Sequence, residues 1–263
     1  MMRTMFIAVL VCLTTVSVLQ AAVKTKAIKY THEGQNFQGY LAWDDEAKGK
    51  RPGVLVIHEF WGLNDYAKKR AEQLAGLGYV AFCADMYGDG KVAEHPDDAR
   101  KMTEEVRKNI KMWQGRAQAA LKVLKDQDNV DPKKTAAIGY CFGGSTVLEL
   151  AYSGADVAAF VTFHGAIPDT DADQAKAIKG KVLICHGAMD KFIPEDKLQN
   201  FRKLLDEAKV DYQMIYYGGA VHSFTVPTAD KLGMAGVAYN ENADKRSWAE
   251  MLRLFDDVFG KGK

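Results

Sequence analysis

The chain has 263 residues, of which 48% are hydrophobic and 26% charged, with 35 basic side chains against 34 acidic ones. A chain of this size can bury one sizeable core, and no linker or repeat divides it, so we predict one domain over residues 22–263. The nearly balanced charge argues against nucleic acid or an anionic membrane as a partner, because both select a basic surface.

The first predicted element is an export signal. Arg3 precedes the apolar run MFIAVLVCLTTVSVL, and small residues follow at Ala21 and Ala22, which is the layout of a secretory signal peptide. The run is about 15 residues, whereas a membrane span needs roughly 20. We therefore predict a signal peptide over residues 1–21 and a mature protein that is periplasmic or secreted, with no membrane association after cleavage; an uncleaved anchor is the alternative.

The next elements predict the fold class. Residues 26–43 partly alternate between apolar and polar around Glu33-Gly34, which predicts an antiparallel hairpin. Beyond it, the predicted strands are GVLVIHEF, YVAFCADMY, TAAIGYC, AAFVTFHG, KVLICHGAMD and YQMIYYGGA, and the predicted helices cover residues 64–77, 96–126, 143–152, 195–208 and 241–258. Apolar strands that alternate with amphipathic helices predict an α/β fold, a mostly parallel twisted sheet with helices on both faces.

The cysteines and histidines give no sign of a disulfide framework or a metal site. The predicted mature chain keeps Cys83, Cys141 and Cys185, whereas a disulfide framework would be denser and even-numbered. Cys83 and Cys185 lie within apolar strand runs, so we predict that both are buried. No C-x-x-C pair or H-E-x-x-H motif occurs, and we predict neither a metal nor a cofactor.

The segment AIGYCFGGS, residues 137–145, resembles a nucleophile turn of the form G-x-S-x-G with sulfur in place of oxygen. Gly139 and Gly143 flank Cys141 where a side chain would collide with the neighbouring strand or helix. The helix that follows directs its N-terminal dipole at the cysteine, which favours a thiolate. The alternative is a tight packing turn around a buried cysteine.

Later strand ends supply partners for this cysteine. In parallel sheets, ligands bind beyond the carboxyl ends of the strands, and Asp190 and His222 each follow such an end in the order nucleophile, acid, histidine. We predict that Cys141 is the nucleophile, that His222 carries its proton and that Asp190 orients the histidine. The backbone N–H groups of Phe142 and Phe60 are predicted to form the oxyanion hole.

Other side chains near the strand ends predict a rim suited to a neutral, partly apolar ester or lactone. The predicted substrate-binding residues are Trp61, Tyr87, His164 and Phe192. For each of them, ordinary packing beneath a loop is the alternative.

Four segments together carry a family resemblance. In this order, VLVIHEFWGLNDYAKKRAEQLAGLGYVAFCADMYG, IGYCFGG, LICHGAMD and HSF are similar to the dienelactone hydrolase family of α/β-hydrolases, over about residues 27–258. The resemblance implies a Cys-His-Asp triad at Cys141, His222 and Asp190. It also implies a role for Glu59, because the family glutamate interacts with the resting nucleophile and takes up its proton when substrate binds.

The sequence departs from the family where two arginines bind the substrate's free carboxylate. Asp89 and Val226 stand closest to those positions, and neither can pair with a carboxylate. Lys91 and Lys231 are the alternative cations. The resemblance therefore predicts a carboxylic ester hydrolase that acts on a small ester, lactone or thioester through an acyl-cysteine, with dienelactone itself disfavoured.

Two other classes of function stay open. A thiol-redox protein would use Cys141 as an oxidisable sensor, although no resolving cysteine lies at motif spacing. A non-catalytic exported binding module would use the same fold, because a fold does not determine function.

Overall fold

The computed structural model describes residues 22–260, so the predicted signal peptide lies outside it. Within these residues the strands are β1 (Val23–His32), β2 (Gln35–Asp44), β3 (Arg51–Ile57), β4 (Val80–Ala84), β5 (Val130–Tyr140), β6 (Ala159–Phe163), β7 (Lys181–Gly187) and β8 (Tyr212–Tyr217). The helices are α1 (Asp65–Gly76), α2 (Pro96–Arg107), α3 (Ile110–Lys125), α4 (Phe142–Tyr152), α5 (Ala172–Ala177), α6 (Glu195–Ala208) and α7 (Glu241–Phe259), with a 3₁₀ helix at Ala229–Leu232. No helix in this part of the chain is both long and apolar enough to cross a bilayer.

The strands form one sheet in the order β1-β2-β4-β3-β5-β6-β7-β8. β2 pairs antiparallel with β1 and β4, whereas all pairs among β3 to β8 are parallel. The predicted α/β-hydrolase fold is confirmed. Because the carboxyl ends of parallel strands meet at one edge, the loops after β3, β5, β7 and β8 converge there.

Both faces of the sheet are covered, which explains the unbroken apolar strands. On β3, Val54 and Val56 pack in the layer that contains α1 and α7. Leu55 and Ile57 pack on the opposite face with α3, α4 and α6. Successive side chains of a strand point to opposite faces, so a strand buried on both sides is apolar at every position.

The helices differ from the predicted elements at the break between α2 and α3, at the short α5 and at the 3₁₀ helix Ala229–Leu232. The helix predicted over residues 96–126 is two helices, because the side chain of Asn109 accepts a hydrogen bond of 3.1 Å from the N–H of Met112 and starts α3 with its own N-cap. The short helix α5 was not predicted. The N-cap of this helix is Asp171, whose side chain and backbone both bond to Gln174 in a capping box.

Candidate active site

Cys141 lies in a strained turn between β5 and α4. Its φ is 52° and its ψ is −114°, a region that residues other than glycine rarely adopt. A Cβ on Gly139 would collide with the backbone of Gly143, and one on Gly143 would collide with the carbonyl of Ile57. The two glycines therefore allow the turn that projects the Cys141 side chain beyond the sheet.

Three side chains from three strand ends form a hydrogen-bonded series. Nε2 of His222 lies 3.1 Å from Sγ of Cys141, and Nδ1 of His222 lies 2.8 Å from Oδ2 of Asp190. The other oxygen of Asp190 accepts a 2.9 Å hydrogen bond from the N–H of Phe192. Asp190 is thus held as an acceptor, and the proton of neutral His222 lies on Nδ1 with Nε2 facing the sulfur.

The electrostatics favour a charged His222. Burial lowers its pKa, but the Cys141 sulfur, the hydrogen bond to Asp190 and the Asp190 charge outweigh burial and raise the pKa well above its ordinary value. His222 can therefore accept the proton of Cys141 when the thiol ionises.

Glu59 is buried beside this series instead of lying in solvent. It is 3% exposed, and Oε1 accepts a 3.1 Å hydrogen bond from Oγ of Ser223. Burial raises its pKa to about 7, although His222, Ser223 and Arg70 each lower it. A carboxyl group with this pKa can give or take a proton near neutral pH.

The two predicted oxyanion donors lie in different local structures. Phe142 is the first residue of α4, where a backbone N–H has no acceptor within the helix. Phe60 lies in the loop after β3, and its carbonyl accepts a 2.8 Å hydrogen bond from the hydroxyl of Tyr87. Tyr87 therefore fixes the loop that carries the N–H of Phe60.

A cavity of about 320 Å³ opens at Cys141 and His222. The large apolar side chains of its lining are Phe60, Phe142, Phe192, Leu232, Met234 and Val237. Residues Leu232 to Val237 are fixed to the histidine, because the N–H of His222 donates to the carbonyl of Gly236 and the N–H of Ala238 donates to the carbonyl of His222.

Of the four predicted substrate-binding residues, Phe192 lines this cavity, and its ring meets that of His222 edge-on at 5.2 Å. The structure places the other three elsewhere. Tyr87 is buried and stacks beneath Phe142 at 5.7 Å, Trp61 packs against Phe60 at 4.4 Å, and His164 is buried behind His222. Each of them supports a lining residue and does not itself line the cavity.

Sequence reasoning missed two arginines in the cavity wall. Arg100 and Arg107 project from α2, seven residues apart and hence on one face of the helix. The Arg107 guanidinium lies 5.5 Å from the Phe142 ring centre, and that of Arg100 lies 3.4 Å from a carboxylate oxygen of Asp97. Both lie on a helix and not in a loop at a strand end, so the signal in the sequence was their seven-residue spacing on a predicted helix.

The positions that replace the family arginines lie outside the lining. Asp89 bonds to the backbone of Asn36 at the β1–β2 hairpin and pairs with Lys91 at 3.9 Å, and Val226 is buried. Lys91 and Lys231 are not among the lining residues either. The cations of this cavity come from α2 instead.

The three cysteines of the described chain are all free. Cys83 and Cys185 are fully buried, as predicted, and burial raises the pKa of both thiols, that of Cys185 to about 12. Among the described residues no group of three or more His, Cys, Asp or Glu side chains is arranged to hold a metal ion.

Comparisons with known proteins agree on one family. The family model described as "Dienelactone hydrolase family" matches residues 37–259. A putative carboxymethylenebutenolidase of Aquifex aeolicus (strain VF5) is 31% identical over 202 residues, which cover 75% of this chain and 85% of the relative.

Two solved structures are similar along nearly their whole length. The structure named m3DLH is 44% identical with a TM-score of 0.88 and covers 90% of this chain and 99% of its own. The structure of P91, described as a dienelactone hydrolase-like promiscuous phosphotriesterase from metagenomic libraries, is 42% identical with a TM-score of 0.87 and covers 90% and 98%.

Proposed function

The chain belongs to the dienelactone hydrolase family and is a hydrolase, and from this premise we propose that it cleaves a small ester, lactone or thioester through an acyl-cysteine intermediate. The observation that carries the proposal is the series of hydrogen bonds from Cys141 through His222 to Asp190. These bonds connect the Cys141 sulfur, which lies in a strained turn, to His222, a base whose tautomer is set by Asp190.

In the proposed first step, Sγ of Cys141 attacks the carbonyl carbon and its proton moves to Nε2 of His222. The negative charge on the carbonyl oxygen is stabilised by the N–H groups of Phe142 and Phe60. The C–O or C–S bond to the leaving group then breaks, and His222 gives its proton to the departing alcohol or thiol. Water, deprotonated by His222, hydrolyses the acyl-cysteine and releases the carboxylic acid and the free thiol.

We propose that Glu59 controls when Cys141 ionises: it interacts with the resting thiol, as the family resemblance implies, and when substrate is bound its carboxylate stabilises the protonated His222 that receives the thiol proton. Support comes from its burial next to His222 and from its pKa of about 7. A thiol that ionises only with substrate bound resists oxidation, which for a permanent thiolate leads to irreversible acids.

The experiment that tests this function uses two readouts on the purified protein. Turnover is measured on neutral aryl esters, thioesters and both dienelactone isomers, and intact mass after rapid mixing with a slowly hydrolysed ester detects an acyl adduct. Cys141→Ala should lose both turnover and adduct, while Cys83→Ala should keep them. An adduct that persists in Cys141→Ala would reject Cys141 as the nucleophile, and so would turnover equal to that of the wild type.

The same assay separates the two alternative functions. A redox sensor would show peroxide consumption that depends on Cys141 and no ester turnover, and a binding module would show neither. The burial of Cys83 and Cys185 favours the hydrolase, because a resolving thiol must reach the oxidised one.

A second activity, phosphotriester hydrolysis, is favoured by the 42% identity to P91. Here Cys141 would attack phosphorus and displace an aryl oxide, and water would then cleave the P–S bond. Release of nitrophenolate from a neutral aryl dialkyl phosphate, lost in Cys141→Ala, is the expected result. A rate equal to that of Cys141→Ala would exclude it.

We also propose that the protein is exported and that residues 1–21 are removed. The support is the basic, apolar and small-residue order of that segment. N-terminal sequencing of protein from periplasm and medium should begin near Ala22, and a cytoplasmic protein with an intact N-terminus would contradict export.

A further inference from the structure

His164 lies behind His222 and contributes nothing to the cavity lining. It is fully buried at the end of β6 with a φ of 43°. Its ring centre lies 5.3 Å from that of His222, at an interplanar angle of 65°. Its Nε2 is 2.8 Å from Oγ1 of Thr225, and no described group bonds to Nδ1.

A hydrogen-bond chain connects His164 to an arginine. Oγ1 of Thr225 lies 2.6 Å from the hydroxyl of Tyr66, and Nε of Arg70 donates to that hydroxyl at 3.2 Å. Nη2 of Arg70 bonds to Asp244 and, at 2.9 Å, to the backbone carbonyl of Thr225. These hydrogen bonds thus join α1 and α7 to the loop that carries His222.

Arg70 determines which group donates in each of these hydrogen bonds. Arg70 only donates, so the Tyr66 oxygen accepts its N–H and the Tyr66 proton is free for Thr225. The Thr225 hydroxyl then donates to Nε2 of His164. This order requires His164 to carry its own proton on Nδ1.

The opposite order is less favourable. If Nε2 of His164 donated to Thr225, only one of the Thr225 and Tyr66 hydroxyls could donate to the other, and the remaining hydroxyl proton would have no acceptor among the described groups. One hydroxyl and Nδ1 of His164 would then both lack partners, whereas in the first order Nδ1–H alone lacks one. Each buried polar group without a partner costs free energy, so the first order is preferred.

We propose that Arg70, Tyr66 and Thr225 hold His164 as its neutral Nδ1–H tautomer, and that His164 in this form is a positioning residue for His222. The role rests on the proposed function of His222 as the base for Cys141. A neutral ring can pack against His222 when His222 becomes an imidazolium, whereas a second imidazolium would oppose that charge.

The surroundings of His164 support the neutral form. Burial lowers its pKa well below the ordinary value, and the positive charges of His222 and Arg70 lower it further. The charged or titratable groups around the two histidines come from β3, β5, β7, α1 and the loops that follow the strands: Glu59, Tyr140, Cys141, His186, Asp190, Tyr66 and Arg70.

The test reads the tautomer directly. Long-range ¹H–¹⁵N NMR correlations of the full chain distinguish protonated from unprotonated ring nitrogens, and His164→Asn, which tolerates the left-handed φ, assigns the His164 signals. The wild type should show Nδ1 protonated and Nε2 unprotonated. This measurement needs no turnover, so it is decided independently of the proposed hydrolase activity.

Variants then test the connection to His222. Thr225→Val removes the hydroxyl with little change in shape, and Thr225→Ala removes it together with the methyl group. Both should shift His164 toward the Nε2–H form and lower kcat by about tenfold with KM unchanged, since a small displacement of a base has effects of this order or greater. Thr225→Ser should restore the wild-type tautomer and most of kcat.

A wild-type His164 protonated on Nε2 would overturn the proton order. A shifted tautomer in Thr225→Val with unchanged kcat would overturn the positioning role. If Thr225→Val does not fold, Thr225→Ala decides the same two points.

Discussion

The hydroxyl of Ser223 donates a 3.1 Å hydrogen bond to Glu59, so the residue that follows His222 holds the carboxylate that precedes Phe60. This contact ties the loop of the proposed base to the loop of a proposed oxyanion donor. It also lowers the pKa of Glu59, against the larger effect of burial that raises it to about 7.

Ser223→Ala should raise the pKa of Glu59, because a hydrogen bond to the ionised carboxylate is lost. We expect the acid limb of kcat/KM to move upward by on the order of one pH unit, with activity recovered at alkaline pH. The measurement is kcat/KM from about pH 5 to about 9 on a neutral aryl ester. Ser247→Ala is the matched control, because Ser247 is also buried and donates to a backbone carbonyl in α7. An identical shift there would remove the link to Glu59.

Glu59→Gln should change stability with pH while it lowers activity. The folded pKa of Glu59 is about 7 against an ordinary 4.5, so its contribution to stability is fully present below about pH 4.5 and is lost as the pH rises through about 7. Glutamine does not ionise, and the variant should therefore gain on the order of 3 kcal/mol relative to wild type between about pH 4 and about pH 8.

Urea unfolding at the two pH values measures this gain. The exposed Glu46→Gln, in the loop after β2, is the control. A difference from wild type that is the same at both pH values would mean that Glu59 is not the group that titrates.

The sequence was sufficient to predict that the residues following the strand ends lie close together, and the reason is geometric. Parallel strands bring their carboxyl ends together, so the order of Cys141, Asp190 and His222 along the chain was enough to place them near one another. The motif predicted glycine on both sides of Cys141, although the clash that requires Gly143 is with the carbonyl of Ile57 on β3 and so depends on the tertiary structure.

The direction of other side chains could not be predicted in this way. His164 also ends a strand, but its positive φ turns the ring toward Thr225 and away from the cavity. Arg100 and Arg107 belong to a helix, and only the packing of α2 over the strand ends brings them to Cys141. The long predicted helix had concealed the break between α2 and α3, where Asn109 caps α3.

Asp190→Asn should reduce kcat strongly without loss of the fold. The asparagine oxygen can keep the bond to the N–H of Phe192, which leaves its NH₂ facing Nδ1 of His222. His222 would then carry its proton on Nε2, toward the sulfur, and could not accept another. We expect a loss of about 10²- to 10⁴-fold in steady-state ester turnover. The exposed Asp128→Asn is the control, and near wild-type turnover in Asp190→Asn would remove Asp190 from the series.

Arg107→Gln should separate charged from neutral substrates. The guanidinium lines the same cavity as Cys141 and lies over the Phe142 ring, so an ester with a free carboxylate on its distal end would gain an ion pair that its neutral analogue lacks. Because exposed ion pairs contribute about 0.2–1 kcal/mol, kcat/KM for the charged ester should fall by up to about fivefold, and that for the neutral ester should stay unchanged.

The two esters should differ only in a carboxylate against a carboxamide, and both are assayed at low and high salt. In the wild type, high salt should reduce the preference for the charged ester, because salt screens the ion pair. In Arg107→Gln the ratio of kcat/KM for the two esters should not change with salt. Arg100→Gln is the internal control on the same helix face: its guanidinium is already near Asp97, so its effect should be smaller. If the charged and neutral esters lose equal activity in Arg107→Gln, the arginine supports the Phe142 ring and does not select for charge.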